Sequence, residues 1–383
     1  MSTNSEFLRS NGELHQRHSS KWRRYAPDVT PMHVAEMDYE IAPSIKSLLI
    51  DFVQRSDLGY LGPVPEVAEA FAGFASRHWN WTVDTKQVRI ATDVGVGAVE
   101  IFRALAKPGD RVVINSPVYH SFYEWLKEAK LEAQDVPLIR GHETWTLDID
   151  GIRVAFESGA KFLLLCSPHN PMGRVHSAAE LSQIAELAKL HGVTVVSDEI
   201  HAPLTYQDQT FTPWLSVSDA AREVGVVITA ASKSFNLAGL KASIIVTQHP
   251  SMVAKLSELP AAIHWRSGLL GAFAMAEAFA NCDEWLATAV EHNRAAREHL
   301  ASLLTTHLPQ LPFWNPQGGY LAWLDVSSLN LGDNPAQRVL DDHRISLVPG
   351  DDHGSQYTQF VRVNFATHLE NVEATVKALA AYL

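Results

Sequence analysis

Residues 193 to 199 read VTVVSDE, a β-branched, apolar run that ends in two acidic residues. Runs of this kind are typical of buried strands in parallel sheets, because such strands are covered on both faces. Three further runs share these properties: RVVINSP (111–117), KFLLLCSP (161–168) and VGVVITAAS (224–232). Together the four runs predict the strands of a mostly parallel sheet.

Amphipathic stretches separate these runs. The segment HSAAELSQIAELAKLHG (176–192) places Leu181, Ile184, Leu187 and Leu190 on one stripe and ends in a glycine, a common helix stop. A strand–helix–strand repeat predicts an α/β fold with helices on both faces of the sheet.

The two ends of the chain have different patterns. Residues 1–40 are polar and then proline-punctuated, which predicts an extended arm that packs on other elements. A long helix is predicted over 282–308, followed by strand patterns in YLAWLDV (320–326) and QFVRVNFA (359–366) and by a final helix near 369–382. We therefore predict a large domain over 41–284 and a small α+β domain over 285–383 to which the arm belongs.

Composition excludes several classes of function. With 31 basic and 43 acidic residues in 383, the net charge is −12, which disfavours general attraction to nucleic acid or to an anionic membrane. The two cysteines are too few for a disulfide framework or a four-thiolate zinc site. The polar N-terminus and the absence of an 18-residue apolar run predict a cytoplasmic protein. No metal site is predicted.

Unusual polar residues follow two of the predicted strands. Asp198, Glu199 and His201 follow one strand, and Lys233 follows the next. Taken alone, the acids fit a helix cap or a metal ligand equally well, and a lone lysine is usually a surface residue. Combined with CSPHNPMG (166–173), they supply an amine, a carboxylate and an amide, the groups needed to hold pyridoxal 5′-phosphate.

Ordered motifs along nearly the full length carry a resemblance to a known family. They are RHSSKW (17–22), VAEMDYEIAP (34–43), GYLG (59–62), SPVYHSF (116–122), SDEIHAPL (197–204), SKSFNLAGLK (232–241), YLAWLD (320–325), LVPG (347–350) and VRVNFAT (361–367). The chain resembles fold-type I pyridoxal-phosphate enzymes of the aminotransferase class I/II family, and within it the MalY/PatB-like cystathionine β-lyases, or carbon-sulfur lyases. The resemblance implies the aspartate aminotransferase-like fold, with a mostly parallel seven-stranded sheet in the large domain.

The resemblance also implies roles around the cofactor ring. Lys233 would bind the cofactor covalently and then move the proton at the substrate α-carbon. Asp198 would pair with the ring nitrogen, Asn170 would donate to the ring oxygen, and Tyr119 would stack on the ring face. His201 should lie near the same oxygen; the alternative is an ordinary histidine at a strand end.

A turn that feeds a helix, ATDVGVGAVEIFRAL (91–105), is the predicted phosphate site, since helix N-terminal amides bind anions. Its glycines do not complete the dinucleotide fingerprint G-x-G-x-x-G. The resemblance places Val94 and Gly95 in the phosphate loop, with Ser232 and Lys241 as side-chain partners.

Two further residues are implied by the resemblance. Tyr60 would reach the phosphate from the neighbouring subunit, so that the active sites of a homodimer are shared; the alternative is a turn tyrosine packed within its own chain. Arg362 would bind the substrate α-carboxylate together with Asn170, because a guanidinium fork makes two parallel hydrogen bonds. The alternative is that Arg362 is a solvent-exposed residue of a strand, which is the more common place for an arginine.

Some positions depart from the family pattern. Asp93 stands where relatives often have glycine, and its carboxylate would repel phosphate unless it turns away or caps the helix. Ala230 stands where many relatives have a phosphate-binding serine. The pairs Ala202-Pro203 and Gly318-Gly319 also differ from the residues that are usual at these positions in the family. These departures leave the detail of the phosphate and substrate contacts open.

The implied reaction is β-elimination from L-cystathionine or a related cysteine S-conjugate to a thiol, pyruvate and ammonia. The residues named so far would equally serve an aminotransferase, which is the alternative. A third reading is a regulatory binding protein on the same fold. The substrate pocket is not predicted in detail: Trp265, Trp314 and Trp323 are candidates for its wall, although such aromatics more often belong to the core.

Overall fold

A seven-stranded sheet forms the centre of the protein, whose computed structural model describes residues 7–383. Its strands are β1 (Val88–Ala91), β2 (Arg111–Ile114), β3 (Glu132–Asp135), β4 (Phe162–Cys166), β5 (Thr194–Asp198), β6 (Gly225–Thr229) and β7 (Ser243–Val246). They lie in the order β1-β7-β6-β5-β4-β2-β3. All neighbours are parallel except that β7 runs antiparallel to β1 and β6. The predicted mostly parallel sheet of seven strands is confirmed.

Both faces of the sheet are buried. Along β4, Leu163 and Leu165 belong to one hydrophobic core, and Phe162 and Leu164 belong to the other. Successive side chains of a strand point to opposite faces, so this alternation requires helices on both sides. The α/β class follows from it.

Helices of eight or more residues cover the sheet and build the C-terminal part. They are Pro43–Gln54, Pro65–Trp79, Val94–Leu105, Ser121–Glu128, Ile149–Glu157, Ala178–His191, Leu269–Asn281, Asp283–His307, Pro335–His343 and Leu369–Ala380. The helix expected over 176–192 begins after Ser177, whose side chain forms a capping box with Glu180, and ends at Gly192 with a left-handed φ of 66°. The two C-terminal helices expected from periodicity are also present.

A second, three-stranded sheet lies in the C-terminal part. Its strands are β8 (Leu321–Asp325), β9 (Val348–Pro349) and β10 (Phe360–Asn364), in the order β8-β10-β9 with antiparallel pairing. All five residues of β10 are buried, including Arg362. The arginine therefore cannot be a solvated face residue.

The N-terminal arm is less extended than expected, because it contains two one-turn helices, Asn11–Leu14 and Ser20–Arg23. Thr30–Pro31 then pairs in parallel with Ile345–Ser346. A fully buried ion pair, with Lys21 Nζ 2.9 Å from Asp38 Oδ2, fixes the end of the arm. These contacts tie the arm to the body of the protein, while the domain bounds at 40 and 284 stay a prediction.

Within residues 7–383 no helix has both the length and the apolar character needed to cross a membrane.

Candidate active site

A cavity of about 230 Å³ lies beyond the carboxyl ends of the central strands, where ligands gather in α/β sheets. Ten residues singled out from the sequence line it: Asp93, Val94, Gly95, Tyr119, Asn170, Asp198, His201, Ser232, Lys233 and Lys241. The fold thus brings into one cavity residues spread over about 150 positions of the chain.

Lys233 follows β6. Of the two lysines that line the cavity within residues 7–383, it is the one whose amine is buried. Its Nζ donates a hydrogen bond to the backbone carbonyl of Ala35 at 2.8 Å, and Tyr320 Oη donates to the same oxygen at 3.1 Å. Burial, together with the positive charge of Arg362, lowers the pKa of Lys233 to about 8. The amine is therefore partly unprotonated near neutral pH, as a nucleophile or a base must be.

Asp198 ends β5, and its Oδ1 accepts a hydrogen bond from Ile200 N at 3.1 Å. Burial raises the pKa of the carboxyl to about 7. Among residues 7–383 no cationic side chain forms an ion pair with it. A buried carboxylate with so few partners fits a protonated ring nitrogen, which would supply the missing positive charge and hydrogen bond.

Asn170 lines the cavity and contacts Arg362, which is not among the lining residues. Arg362 Nη1 donates to Asn170 Oδ1 at 3.3 Å, and Nη2 donates to the backbone carbonyl of His33 at 2.9 Å. With its oxygen engaged by Arg362, Asn170 keeps its NH₂ group for the cavity. This arrangement fits the amide to a ring oxygen and the arginine to an adjacent carboxylate.

The phosphate end of the cavity is formed by the helix Val94–Leu105. Asp93 caps this helix by accepting a hydrogen bond from Val96 N at 2.8 Å, and its other oxygen lies 3.0 Å from Lys241 Nζ. The first N–H groups, of Val94 and Gly95, have no partner within the helix. The departure at Asp93 is thereby explained: the carboxylate serves as a cap and an ion-pair partner, which leaves the amides for an anion.

Aromatic rings form another wall. The Tyr119 ring packs edge-on against Trp125, with 5.9 Å between ring centroids. A Cβ at Gly95 would lie 2.7 Å from Trp125 Nε1, so only glycine fits against this tryptophan. His201 is buried, and burial, with the charges of Lys233 and Arg362, lowers its pKa to about 3. A neutral imidazole therefore faces the cavity.

Other predicted residues lie elsewhere. Tyr60 does not line the cavity and is 92% exposed, so it does not pack within its own chain. Ala230 is buried and also does not line it. Trp314 and Trp323 belong to the core, whereas Trp265 is exposed, and none of the three lines this cavity.

Sequence reasoning missed Ala35, Trp125 and Ile200 in the cavity wall. Ala35 contributes a backbone carbonyl, which carries no signal in the sequence beyond its place in VAEMDYEIAP. Trp125 lies on the helix Ser121–Glu128 that follows Tyr119, and the neighbouring Gly95 was the available hint.

The fold and the site define the class of protein. The model for the family "Aminotransferase class I and II" matches residues 27–379, and the chain belongs to that family. The expected family and fold are confirmed.

Particular relatives are cystathionine β-lyases. A Mycobacterium tuberculosis protein provisionally described as a cystathionine beta-lyase is 38% identical over 381 residues, covering 92% of this chain and 91% of the relative. Cystathionine beta-lyase PatB of Bacillus subtilis is 31% identical over 363 residues, covering 93% of each chain. A crystal structure from Corynebacterium diphtheriae, provisionally described as a PLP-dependent beta-cystathionase, superposes with a TM-score of 0.92 over 98% of both chains at 27% identity.

Proposed function

We propose that the protein is a pyridoxal-phosphate-dependent carbon-sulfur β-lyase that acts on L-cystathionine or a related cysteine S-conjugate. The observation that carries this proposal is that the amine of Lys233 and the carboxylate of Asp198 line one buried cavity, with unpaired helix amides at its other end. The names of the relatives reported above point the same way.

The cofactor, when bound, supplies a conjugated cationic ring that accepts the electrons left at the substrate α-carbon. Lys233 would hold the aldehyde carbon of the cofactor, and its free amine would take the α-proton of the substrate. Its lowered pKa suits this role, because a protonated amine is no base. Asp198 would keep the ring nitrogen protonated, which keeps the ring electron-accepting.

The remaining residues bind and orient. Asn170 would donate to the ring oxygen, with the neutral His201 beside it, and Tyr119 would pack on the ring face. The phosphate would be bound by the amides of Val94 and Gly95, the hydroxyl of Ser232 and the ammonium of Lys241. Together they fix the angle at which the substrate meets Lys233.

Arg362 binds the substrate α-carboxylate, with Asn170 beside it. Arg362 is buried and forms no ion pair with a carboxylate of residues 7–383, which leaves its charge available for the substrate.

The outcome of the reaction depends on the β-carbon. A thiol has an ordinary pKa near ~8.5, so a thiolate leaves at neutral pH with little help from a general acid. Loss of the thiolate, followed by hydrolysis, gives pyruvate and ammonia. An aminotransferase would instead need a second keto acid.

Purified protein incubated with L-cystathionine tests the proposal. We expect pyruvate and a free thiol in equal amounts, without added keto acid. Keto-acid-dependent amino transfer with no pyruvate would show the alternative, an aminotransferase. Lys233→Ala should abolish pyruvate release, and the surface variant Lys189→Ala should leave it unchanged.

Lys233→Ala also separates catalysis from a regulatory role, because it removes turnover and leaves the surface of the protein intact. A biological effect that survives Lys233→Ala would indicate the third reading, a regulatory binding protein.

We further propose a homodimer in which Tyr60 of each subunit reaches the phosphate of its neighbour. The 92% exposure of Tyr60 in the single chain supports this, since the side chain is not engaged within its own chain and is free to contact a neighbouring subunit. We also propose the domain bounds 1–40, 41–284 and 285–383 and a cytoplasmic location. Gel filtration with light scattering tests the dimer.

A further inference from the structure

Arg362 is held from three sides within the protein. Its Nη1 donates to Asn170 Oδ1 at 3.3 Å and lies 3.3 Å from His353 Nε2, and its Nη2 donates to the carbonyl of His33 at 2.9 Å. Its Nε is buried and has no partner. The guanidinium is thus oriented by contacts that leave part of it unused.

Counting donors shows which part is unused. A guanidinium has five N–H groups. Asn170 and His353 occupy both hydrogens of Nη1, and His33 occupies one of Nη2. The N–H of Nε and one N–H of Nη2 remain, and these two nitrogens share one edge of the guanidinium. Two parallel donors on one edge match a carboxylate.

The surroundings of His353 make its ring an acceptor. The side chain is fully buried at the end of the turn Gly350–His353 and packs against Trp323, with 5.1 Å between ring centroids. Burial and the charge of Arg362 hold the pKa of His353 well below its usual range. The imidazole is therefore neutral, and its Nε2 accepts the hydrogen bond from Arg362.

His353 also contacts the loop that carries Tyr119. Its backbone carbonyl accepts a hydrogen bond from Val118 N at 3.0 Å. A single residue thereby joins the arginine to the aromatic wall of the cavity.

We propose that His353 is a positioning residue that directs the free edge of Arg362 toward the α-carboxylate of an amino-acid substrate. The inference rests on the proposed function, in that Arg362 is taken as the carboxylate-binding residue. Without the acceptor, Nη1 keeps a buried, unpaired N–H, and the guanidinium can turn to place that N–H on the ligand or on water.

The test compares two ligands in one variant. S-methyl-L-cysteine carries an α-carboxylate, and 2-(methylthio)ethylamine is the same molecule without it. Each is mixed with the cofactor-loaded protein by stopped flow, and the amplitude of the first change in cofactor absorbance, recorded before turnover, gives an apparent dissociation constant. We expect His353→Leu to weaken S-methyl-L-cysteine about 10-fold and to leave the amine unchanged, because only the carboxylate needs the oriented arginine.

His353→Gln is the matched variant, since its amide oxygen supplies an acceptor near the position of Nε2; it should restore most of the affinity for S-methyl-L-cysteine. Should His353→Leu fail to fold, as judged by thermal unfolding, His353→Asn replaces it, because its shorter amide ends before Arg362. Equal weakening of both ligands, or no weakening of either, would overturn the proposal.

This readout is independent of the reaction outcome. A wild-type protein that binds S-methyl-L-cysteine more tightly than the amine but releases no pyruvate contradicts the lyase assignment and leaves the test of His353 intact.

Discussion

The amine of Lys233 donates a 2.8 Å hydrogen bond to the backbone carbonyl of Ala35, a residue 198 positions away in the N-terminal arm. The arm therefore forms part of the cavity wall and is not merely packed on the surface. Neighbouring carbonyls of the arm are engaged as well: that of Val34 accepts from Asn364 Nδ2, and that of Glu36 accepts from Lys21 and Asn364. The segment 33–37 is thus fixed against the cavity by hydrogen bonds from several elements.

Asp198 should determine how tightly the cofactor binds. Asp198→Asn removes the negative charge opposite the ring nitrogen, and we expect the cofactor affinity to fall by roughly 10- to 100-fold, since a hydrogen bond to a charged group contributes about 1.5–3 kcal/mol. Equilibrium dialysis measures the cofactor affinity of the wild-type protein and of Asp198→Asn.

The neighbouring Glu199 provides a matched control. It is equally buried, accepts from Trp214 N at 2.8 Å and does not line the cavity. Burial raises the pKa of Glu199 to about 8, so its carboxyl is mostly neutral at pH 7 and resembles a glutamine. Glu199→Gln should leave cofactor affinity unchanged. A loss as large as that of Asp198→Asn would refute the specific role of Asp198.

Asp93 offers a test of the phosphate end. Asp93→Asn keeps a helix cap and removes a negative charge beside Lys241, so we expect tighter binding of inorganic phosphate as a competitor of the cofactor. Asp93→Ala removes the cap as well and should lower the free energy of unfolding by about 1 kcal/mol. Weaker phosphate binding in Asp93→Asn would mean that the carboxylate positions Lys241 and that its repulsion is secondary.

Buried histidines should make the protein sensitive to acid. Burial lowers the pKa of His33 to about 3, of His169 to about 4 and of His201 to about 3, and it also holds the pKa of His176 well below its usual range. Below pH ~6.5 the unfolded chain binds protons that the folded chain does not, so the free energy of unfolding falls as pH falls. Each such histidine contributes up to about 1.4 kcal/mol per pH unit.

Two carboxyls act in the opposite direction. The raised pKa values of Asp198 and Glu199, about 7 and about 8, mean that the folded state binds more protons than the unfolded state between pH ~4 and those values. At pH ~6 and below their contribution is smaller than that of the histidines, because the histidines are more numerous and are then mostly protonated in the unfolded chain.

Urea unfolding at pH 5, 5.5 and 6, where the histidines dominate, measures the net slope. His176→Gln should make the slope shallower, and the exposed variant His307→Gln should leave it unchanged. A slope of the opposite sign would contradict the interpretation.

The sequence was sufficient for the central strands and for the polar residues that follow them, because buried strands and their ends have distinct composition. Lys233, Asp198 and Asn170 could be grouped for that reason. The edge strand Glu132–Asp135 could not be predicted from the sequence, since three of its four residues are exposed and its composition is that of a loop. Ala35 and the contact between Arg362 and His353 depend on packing across separate parts of the chain, which no local pattern encodes.

Tyr60 tests whether two chains share each site. A Tyr60→Ala chain retains Lys233, and a Lys233→Ala chain retains Tyr60, so each variant alone should release little pyruvate. Mixed under conditions that allow subunit exchange, half of the dimers are hybrids, and each hybrid contains one site with both native residues. We expect the mixture to reach about one quarter of the wild-type rate per chain. Exchange is verified by native mass spectrometry of differently tagged chains. Hybrids that form without recovery of activity would place Tyr60 outside the neighbour's site, and full activity of Tyr60→Ala alone would remove it from the site altogether.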